Sequence, residues 1–536
     1  MMKTDHIPVW KEYGYSPRAE KRPRETLETL IVGGGPIGLA LALDLGRKGR
    51  KVTILNALSF IPRGSKAICF SKRSLEIFDR LGVGERLLAK GVVWEKGKVF
   101  WKSDPEPIYE FDLLPIKDQK FPAFINIQQY YVEEYLLDEI AKLENIDMRW
   151  RHEAVGVSQK PDGVLVEVET PDERYSIETP YVLACDGSKS PVRAMLGLDF
   201  AGRVFEDNFL IADVKFKQER PAERWFHFDP PWPGASSLIH KQPDGVWRLD
   251  FQLGWNIDKK EAVKPENVAP FVRGLLGPDI DYEFEWLSVY TFQCRRMERF
   301  LHDRVIFAGD SAHLVSPFGA RGCNGGLQDI DNLAWKLDRV LDGASPPSLL
   351  DTYDSEATAA ADVNILNSTR STDFMTPKTK TAKIFRDAVL ELARDYSFAR
   401  PFVNSGRLSQ AVSYFNSPLS TEDADAFGGG PAPGAPAIDA PLADGGWLLS
   451  RLGETFKLLQ FPDSDDGART LIADDGALDV IRVSARDQLA CQRYDASSGG
   501  AYLIRPDQHV AARWRRPTAA AVQEAHMRAI GGKGLS

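Results

Sequence analysis

The stretch TLIVGGGPIGLALALDLGRKGRKVTILN, residues 29–56, has the pattern of a strand, a glycine-rich turn, a helix and a second strand. The apolar run at 27–32 predicts the first strand, the helix is expected to reach about residue 48, and the second strand covers 51–55. The turn carries GxGxxG as Gly33, Gly35 and Gly38. These glycines permit a tight turn, close approach of a pyrophosphate to the backbone, and packing of helix on strand. The stretch therefore predicts a parallel α/β sheet that binds a dinucleotide.

Two alternatives remain open within this unit. Asn56 stands at the end of the second strand, where the dinucleotide fingerprint has an acid that binds the ribose. An amide still donates and accepts hydrogen bonds, but without the strength of a charged group. Asn56 therefore either caps the following loop or still contacts the ribose. The second alternative is a strand–helix–strand unit of the same shape that binds nothing.

A second glycine-rich segment, RVIFAGDSAHLVSPFGARGCNGGLQDIDNLAWKL, occupies residues 304–337. It begins with a predicted buried strand and ends in a helix whose apolar face carries Leu327, Ile330, Leu333, Ala334 and Leu337. Glycines at the helix entry let an electron-rich ligand approach bare backbone N–H groups at the positive helix end. Asp310 ends the strand, so its carboxylate either accepts hydrogen bonds from sugar hydroxyls or caps the loop.

A third strand–loop–helix segment, YVLACDGSKSPVRAMLG, lies at residues 181–197. Asp186 and Gly187 follow its strand, and Arg193 lies in the helix that begins after them. Ligands of open α/β sheets bind at the carboxyl ends of the strands. Three such loops in one chain imply a long ligand that crosses several strands, which fits FAD better than NAD.

Composition limits the other classes of function. The chain has 536 residues, 43% of them apolar, which predicts two to four globular domains, and its net charge of −9 argues against nucleic acid and anionic membranes. Five cysteines without a CxxC pair suit a reducing compartment, and eight histidines include no HxxxH or HExxH, so a metal is not expected. The apolar stretch at 27–45 is interrupted by Glu28, Pro36 and Asp44. These features predict a soluble cytoplasmic protein without a membrane partner.

The pattern along the chain predicts five parts. The first is an N-terminal arm at 1–26 that is either disordered or packed on a neighbouring part. The others are a discontinuous FAD-binding α/β domain at 27–200 and 295–400, an antiparallel β domain for the substrate at 201–294 with part of 95–125, a helical segment and Gly/Pro/Ala linker at 401–446, and a small α/β domain at 447–536. In the β domain, alternation places His240 and Gln242 on one face of a strand, and Arg248, Asp250 and Gln252 on one face of the next. These side chains face either solvent or a pocket.

The GxGxxG motif, CDGSKSPVR at 185–193 and AGDSAHLVSPFGARGCNGGLQDIDNLAWKL at 308–337 occur in this order. This set resembles the class A flavoprotein aromatic hydroxylases, the family of p-hydroxybenzoate, phenol and 3-(3-hydroxyphenyl)propionate hydroxylases. The resemblance covers about residues 27–400, and the tail resembles the thioredoxin-like C-terminal domain of the phenol hydroxylase branch. It implies FAD, NADPH or NADH as cosubstrate, O₂, hydroxylation of a phenolic ring through a flavin C4a-hydroperoxide in aromatic catabolism, and a homodimer.

The resemblance, taken with the motifs, assigns roles by position. We expect catalytic roles for His240, Asp250 and Pro317, and substrate contacts for Gln242, His227 and Tyr290. We expect cofactor contacts for Gly33, Gly35, Gly38, Asn56, Lys66, Arg73, Gln129, Asp186, Arg193, Arg248, Asp310, Gly322, Cys323 and Asn324. Lys66 and Arg73 either neutralise a diphosphate or lie on the solvated side of a helix. A histidine such as His240 accepts a phenol proton near neutral pH.

Some positions depart from the family pattern. Asn56 replaces an acid, Lys66 replaces an arginine, and Gln242 stands where a relative has an arginine that binds a carboxylate. Competing interpretations are a halogenase or reductase on the same scaffold, or a flavoprotein that no longer turns over and acts as an interaction module. The chain lacks the WxWxIP segment of the halogenases.

Overall fold

The computed structural model of the protein describes residues 8–64, 66–112, 117–403, 409–462 and 478–532. Its helices are α1 (Pro36–Arg47), α2 (Lys72–Arg80), α3 (Gly84–Lys90), α4 (Gln129–Ile140), α5 (Pro191–Met195), α6 (Lys259–Ala262), α7 (Pro265–Leu276), α8 (Gly322–Leu341), α9 (Leu349–Met375), α10 (Lys380–Asp395), α11 (Arg400–Val403), α12 (Gln488–Arg493) and α13 (Ala519–Ala529). In the described ranges, none of them has both the length and the apolar character needed to cross a bilayer.

The strands up to the middle of the chain are β1 (Val9–Glu12), β2 (Arg24–Thr26), β3 (Thr29–Val32), β4 (Val52–Asn56), β5 (Phe60–Pro62), β6 (Cys69–Ser71), β7 (Val92–Val93), β8 (Lys96–Trp101), β9 (Tyr109–Asp112), β10 (Phe124–Asn126), β11 (Ile146–Trp150), β12 (Glu153–Lys160), β13 (Gly163–Glu169), β14 (Arg174–Thr179) and β15 (Val182–Ala184). The remaining strands are β16 (Ala201–Phe216), β17 (Arg224–Phe228), β18 (Ser236–Lys241), β19 (Val246–Gly254), β20 (Tyr282–Arg296), β21 (Leu301–His302), β22 (Val305–Phe307), β23 (His313–Leu314), β24 (Lys457–Phe461), β25 (Asp479–Arg482), β26 (Gly500–Ile504) and β27 (Val510–Trp514).

A six-stranded sheet forms the centre of the α/β part. Its order is β11-β4-β3-β15-β22-β21, and its neighbouring strands run parallel except β21 beside β22. Strands β3, β15 and β22 are buried along their whole length, as parallel strands covered on both faces must be. Helix α1 packs against α4 and α8 over this sheet. The parallel α/β sheet predicted from residues 29–56 is therefore present.

An eight-stranded sheet holds the β part, in the order β23-β20-β16-β19-β18-β17-β8-β9. One face packs under α7, with Leu210, Leu249 and Phe251 in that core. The opposite face carries Asp213, His240, Arg248 and Asp250, and we call it the site face. The register pairs Asp213 with Arg248 and Arg248 with His240 across three strands. The predicted alternation of polar side chains in β18 and β19 is confirmed.

The C-terminal part contains a four-stranded sheet of order β25-β24-β26-β27. Residues 428–446, predicted as a linker, instead belong to its core, because Ala437, Ala440 and Leu442 are buried against Tyr494 and Val510. The linker prediction was wrong because a segment of small residues without periodicity can still pack closely on a sheet that other residues form.

The N-terminal arm packs on the α/β part. Strand β1 pairs with β5, and β2 joins β14 at the edge of a four-stranded sheet. The Trp10 ring stacks on Tyr130 at 4.2 Å, and the Tyr13 ring stacks on Trp150 at 4.4 Å. Residues 1–7 of the predicted arm lie outside the described residues.

Candidate active site

The three glycine- or acid-bearing loops meet at one edge of the six-stranded sheet. They follow β3, β15 and β22, which are neighbours in register, so that Ala184 pairs with both Val32 and Phe307. A Cβ added at Gly33 would lie 2.3 Å from the carbonyl oxygen of Cys185, and one at Gly326 would lie 2.9 Å from the Cα of Gly309. The predicted convergence of the three loops is therefore confirmed, and it depends on glycine at Gly33, where φ is +113°.

Two helices point their N-termini into this edge without a side chain to cap them. Helix α1 begins after Gly35 and α8 begins at Gly322, and neither first turn holds an acidic residue. A Cβ at Gly35 would meet nothing within 4 Å, so space remains beside the backbone N–H groups of α1. A pyrophosphate fits the first helix end, and an electron-rich ring edge fits the second.

Two carboxylates line the cleft between these helix ends. Asp310 is exposed to solvent, yet desolvation by the surrounding protein raises its pKa against the opposing charges of His313 and Lys66. Asp186 accepts a hydrogen bond from the Val192 backbone N–H at 3.0 Å, while its Oδ1 is buried without a partner. Both carboxylates can accept hydrogen bonds from the hydroxyl groups of FAD, so the residues present fit this cofactor.

A second wall of the cleft joins the loop before β6 to helix α4. The side-chain oxygen of Gln129 accepts a hydrogen bond from the Ala67 backbone N–H at 3.1 Å, and its nitrogen donates to Glu133 at 2.8 Å. Burial raises the pKa of Glu133 to about 7, against the effects of Gln129 and Lys66. Burial also raises the pKa of the Cys323 thiol, with further contributions from Asp310 and Glu133. The predicted cofactor residues Lys66, Gln129, Asp310 and Cys323 thus interact with Glu133 or with one another.

The loop after β23 connects this cleft to the site face. Phe318 is buried, and its ring packs edge-on against Phe209 at 5.2 Å and Phe292 at 5.7 Å on the site face. Its neighbour Pro317 is exposed. Burial raises the pKa of Tyr290 to about 12 against the charge of Arg248, and the charges of Asp213 and Asp310 add to the increase.

His240 and Asp250 form a hydrogen-bonded pair on the site face, with 3.0 Å between Nε2 and Oδ2. Burial, and then the charge of Arg224, lower the pKa of His240 to about 4, so the ring is neutral at pH 7. Because a carboxylate only accepts, Nε2 carries the proton, and Nδ1 lies 3.8 Å from the sulfur of Cys69. The side chain of Asp250 is 20% exposed and that of His240 is 4% exposed, so the carboxylate is the member that a ligand can reach.

A second polar group on the site face is centred on Asp213. Both of its oxygens accept hydrogen bonds at 2.8 Å from Arg248, and Oδ1 also accepts one at 3.2 Å from Gln242. The Arg248 guanidinium lies 5.5 Å from the ring centroid of Trp286. Asp213 therefore neutralises Arg248 and fixes its guanidinium. The prediction that Arg248 contacts the cofactor did not include this ion pair.

Comparison with known proteins identifies the scaffold. A family model described as an FAD binding domain matches residues 26–368, the part that contains all three cleft loops and the site face. The chain belongs to this family of FAD-dependent aromatic monooxygenases. The hydroxylase is 30% identical over 379 residues to the 12-dehydrotetracycline 5-monooxygenase/anhydrotetracycline 6-monooxygenase of Streptomyces rimosus, covering 68% of this chain and 73% of the relative. It is 33% identical over 337 residues to a probable NADH-specific resorcinol 4-hydroxylase of Rhodococcus jostii, covering 62% of each chain.

The fold of the hydroxylase also matches a solved structure along most of its length. The flavin-dependent monooxygenase PieE, crystallised with FAD and substrate, superposes with a TM-score of 0.80 over 95% of this chain and 100% of that chain. The two sequences are 22% identical, so the likeness shows the fold alone. FAD is the cofactor of this hydroxylase, and the fit of the cleft agrees with that assignment.

Two predicted site residues of the hydroxylase lie elsewhere. His227, predicted to bind substrate, pairs with Ser237 and so lies on the face opposite to His240, where its ring stacks on Phe100 at 4.6 Å. Arg73, predicted to bind the cofactor, is buried and donates to Asp331 at 2.8 Å and to Gln508 of the C-terminal part at 2.6 Å. Strand register and domain packing, which the sequence pattern did not specify, account for both errors.

Three more predicted cofactor residues have other partners. The guanidinium of Arg193 donates to the carbonyls of Ser311 at 2.8 Å and Ser188 at 2.9 Å, so it links two cleft loops. The side-chain oxygen of Asn324 accepts from the Ser71 backbone N–H at 2.9 Å, and its nitrogen donates to the Cys69 carbonyl at 2.9 Å. Both side chains therefore join the protein segments that form the cleft. Asn56 caps its loop weakly through the Leu58 backbone N–H at 3.3 Å, and its amide also lies against the glycine turn.

Sequence reasoning missed three residues that lie on or against the site face. Asp213 holds Arg248 and Gln242, Cys69 faces His240, and Asn126 accepts a hydrogen bond from Cys69 at 3.0 Å. A signal for Asp213 was available, because it is the one acid in the apolar strand FLIADVKF at 209–216. Cys69 and Asn126 come from distant segments, and the sequence carried no signal for either.

Proposed function

We propose that this hydroxylase uses NAD(P)H and O₂ to hydroxylate a phenolic ring held between the site face and the flavin cleft. The observation that carries the proposal is the position of the accessible Asp250 carboxylate and Tyr290 on the same face on which Phe318 anchors the cleft loop. When bound, FAD accepts hydride from the nicotinamide and activates O₂ for transfer of one oxygen atom to the ring. The protein supplies binding, orientation and exclusion of water.

The cofactor contacts follow from the geometry of the cleft. The pyrophosphate of FAD would bind at Gly33, Gly35 and Gly38 and at the N-terminus of α1. Asp186 and Asp310 would accept hydrogen bonds from the hydroxyl groups of FAD. The N-terminus of α8, from Gly322 to Asn324, would face the flavin edge through its backbone. Lys66 would add positive charge, while Gln129 fixes the loop that carries it.

On the substrate side, Asp250 accepts the phenol proton. His240 holds the carboxylate in place through the Nε2–H hydrogen bond and stays neutral, because burial and the charge of Arg224 lower its pKa. A ring that loses its phenolic proton is richer in electrons and accepts the oxygen atom more readily. Pro317 and Tyr290 would border the ring, and Gln242 acts indirectly by fixing Asp213 and Arg248.

The domain arrangement belongs to the same proposal. Strands β3, β15 and β22 come from 27–200 and 295–400 and share one sheet, which supports one discontinuous FAD-binding domain. Residues 201–294 supply most of the substrate sheet, with β8 and β9 added at its edge. The tail at 447–536 would be a thioredoxin-like domain. A homodimer and a cytoplasmic location stay predictions.

The experiment is purification followed by turnover with a panel of phenols. We expect a bound flavin absorbance spectrum, NADH or NADPH oxidation that a phenol stimulates, and a product that carries one ¹⁸O atom when the gas is ¹⁸O₂. Stimulated oxidation that yields only hydrogen peroxide would favour a reductase or oxidase instead. Failure to retain or bind FAD would contradict the cofactor assignment itself.

A further inference from the structure

Arg224 is a buried cation for which the described residues provide no counter-ion. Five arginines of the described residues are no more than 3% exposed, namely Arg73, Arg224, Arg248, Arg386 and Arg505. Four of the five form ion pairs with carboxylates. Arg224 forms none within the described part of the chain, and its hydrogen bond partner there is the Cys69 sulfur at 3.8 Å. Its Nε is buried and has no hydrogen bond partner in the described ranges.

The position of Arg224 ties it to the substrate site. Arg224 is the first residue of β17 and pairs with Gly97 of β8. On the other side β17 runs antiparallel to β18 and Trp225 pairs with Ile239, so the next position brings Arg224 beside His240. Both Arg224 and His240 contact the Cys69 sulfur at 3.8 Å. Arg224 therefore lies on the site face, next to the pair that we assign to the phenol.

The surroundings of Arg224 are aromatic, and no carboxylate of the described residues forms an ion pair with it. Its guanidinium lies 5.4 Å from the ring centroid of Trp94 and 5.3 Å from that of Phe226. Trp94 and Cys69 belong to a small core against which Ala320 of the flavin loop packs. A buried guanidinium is stable only when an anion or several acceptors satisfy it, and aromatic faces replace only part of its hydration.

We propose that Arg224 is an oxyanion-binding subsite of the substrate pocket, so that the substrate is an aromatic ring carrying a negatively charged oxygen group in addition to the hydroxyl that Asp250 receives. The planar guanidinium suits a carboxylate or a second acidic hydroxyl, which it can bind through two parallel hydrogen bonds. The apo protein keeps the cation buried because the substrate completes the pair. This inference rests on the proposed function, since it names the substrate class of the same site.

The test is titration of the FAD-loaded protein with benzoate and with benzamide, followed by perturbation of the flavin absorbance. The two probes have the same shape and differ in charge. We expect wild type to bind benzoate at least ten times more tightly than benzamide, and Arg224→Met to abolish that preference. The same titration with 4-nitrophenol, at pH values above and below its own pKa, measures whether the subsite also binds a phenolate. Tighter binding above that pKa would indicate that a phenolate can take the place of a carboxylate. Equal affinities for all charged and neutral probes in wild type, or an unchanged preference in the variant, would overturn the proposal.

Arg220→Met is the matched control. Arg220 is a half-buried arginine of the same domain that also lies near Trp225, at 5.7 Å from its ring, but it donates to the Leu276 carbonyl at 3.1 Å. Arg220→Met removes one positive charge, as Arg224→Met does, and should leave the preference for benzoate over benzamide within twofold of wild type. An equal loss in both variants would show a general field effect and would contradict a specific subsite.

Thermal unfolding gives a readout that a structural arginine would not give. We expect Arg224→Met to raise the melting temperature of the substrate-free holoenzyme, and benzoate to stabilise wild type but not the variant. A lowered melting temperature in Arg224→Met would show that the cation serves packing and would overturn the proposal. If Arg224→Met does not fold, Arg224→Lys keeps the charge but loses the paired donors, and should weaken benzoate binding at least threefold. An undiminished affinity there would count against the subsite.

Failure of the two proposals can be told apart. A wild-type enzyme that hydroxylates phenols but prefers no anion would remove this inference and leave the proposed function intact. An enzyme that binds FAD and prefers benzoate but oxygenates nothing would remove the proposed function and leave the anion subsite.

Discussion

Two buried groups of charges in this molecule differ in how completely they are paired. At the contact between α8, α9 and the C-terminal part, Glu356 accepts hydrogen bonds from Lys336 at 2.6 Å and from Arg505 at 2.7 and 2.9 Å. Arg505 also binds Asp507, which accepts a hydrogen bond from Trp335. We call this set the interface cluster. Its titratable side chains are no more than 3% exposed and each of them is paired.

The site face holds a set of similar size that is left incomplete. Arg224 lacks a carboxylate among the described residues, Gln242 has a buried oxygen without a partner, and Asp250 is partly open. Burial of unpaired polar groups costs stability, so a protein retains such groups where a ligand supplies the missing partner. The comparison teaches that complete pairing marks the charges that hold domains together, and incomplete pairing marks the site.

The largest expected effect concerns the open carboxylate of the site face. Asp250→Asn keeps the shape and the hydrogen bond acceptor for His240 but cannot take a proton. We expect kcat/KM for phenol hydroxylation to fall by about 10²–10⁴-fold, the range typical of a lost general base. Steady-state kinetics with NAD(P)H and a coupled phenol measure the change.

Asp281→Asn, at an exposed position of the same domain, is the control and should leave kcat/KM within about twofold of wild type. The stability of Asp250→Asn should stay within about 1 kcal/mol of wild type, because an open site residue contributes little to folding. A large loss of stability together with unchanged kinetics would reverse the roles that the comparison assigns to the two groups.

The next largest effect is expected in the interface cluster. Glu356→Gln leaves Lys336 and Arg505 buried with a neutral partner, and breaking a buried pair typically costs about 3–5 kcal/mol of unfolding free energy. Denaturant unfolding followed by circular dichroism measures the loss. Asp351→Asn on the same helix removes a carboxylate that is 63% exposed and lies 3.9 Å from Arg299, so it should cost less than about 1 kcal/mol. Equal losses in the two variants would contradict the assigned importance of burial.

The smallest effect is a pH dependence that comes from Glu133 in the cofactor cleft. Its pKa of about 7 is raised above the unfolded value of 4.5, so the folded state holds an extra proton between these values. Its contribution to stability is therefore fully present below pH 4.5 and is lost as the pH rises through 7. A shift of this size corresponds to about 3 kcal/mol.

Glu133→Gln removes this titration, so the variant should be more stable than wild type at pH 8 by an amount that shrinks toward pH 5. Thermal unfolding across pH 5–8 provides the measurement. Glu144→Gln, at an exposed position in the turn after α4, is the control and should follow the wild-type profile. A variant curve parallel to that of wild type at every pH would show that Glu133 is charged throughout.

By itself, the sequence determined the parallel sheet, the three loops at its edge and the alternation of polar residues in β18 and β19. Each of these depends on local periodicity or on glycine at a backbone position with little space, and such features can be read along the chain. The helix after Gly322 was also predicted with its apolar face, and those five residues are buried.

Only the tertiary structure decided which polar residues face each other. Residues 324–337 of α8 are buried because α2, α9 and the C-terminal part together cover the polar face, which a helical pattern alone assigns to solvent. Arg73 does not reach the cofactor site because it binds Gln508 of the C-terminal part. His227 does not reach the substrate site because the register of β17 against β18 places it on the opposite face of the sheet. Pairing of Cys69 with His240 joins segments 171 residues apart. Contacts over such separations depend on how whole elements pack, and no spacing in the sequence encodes them.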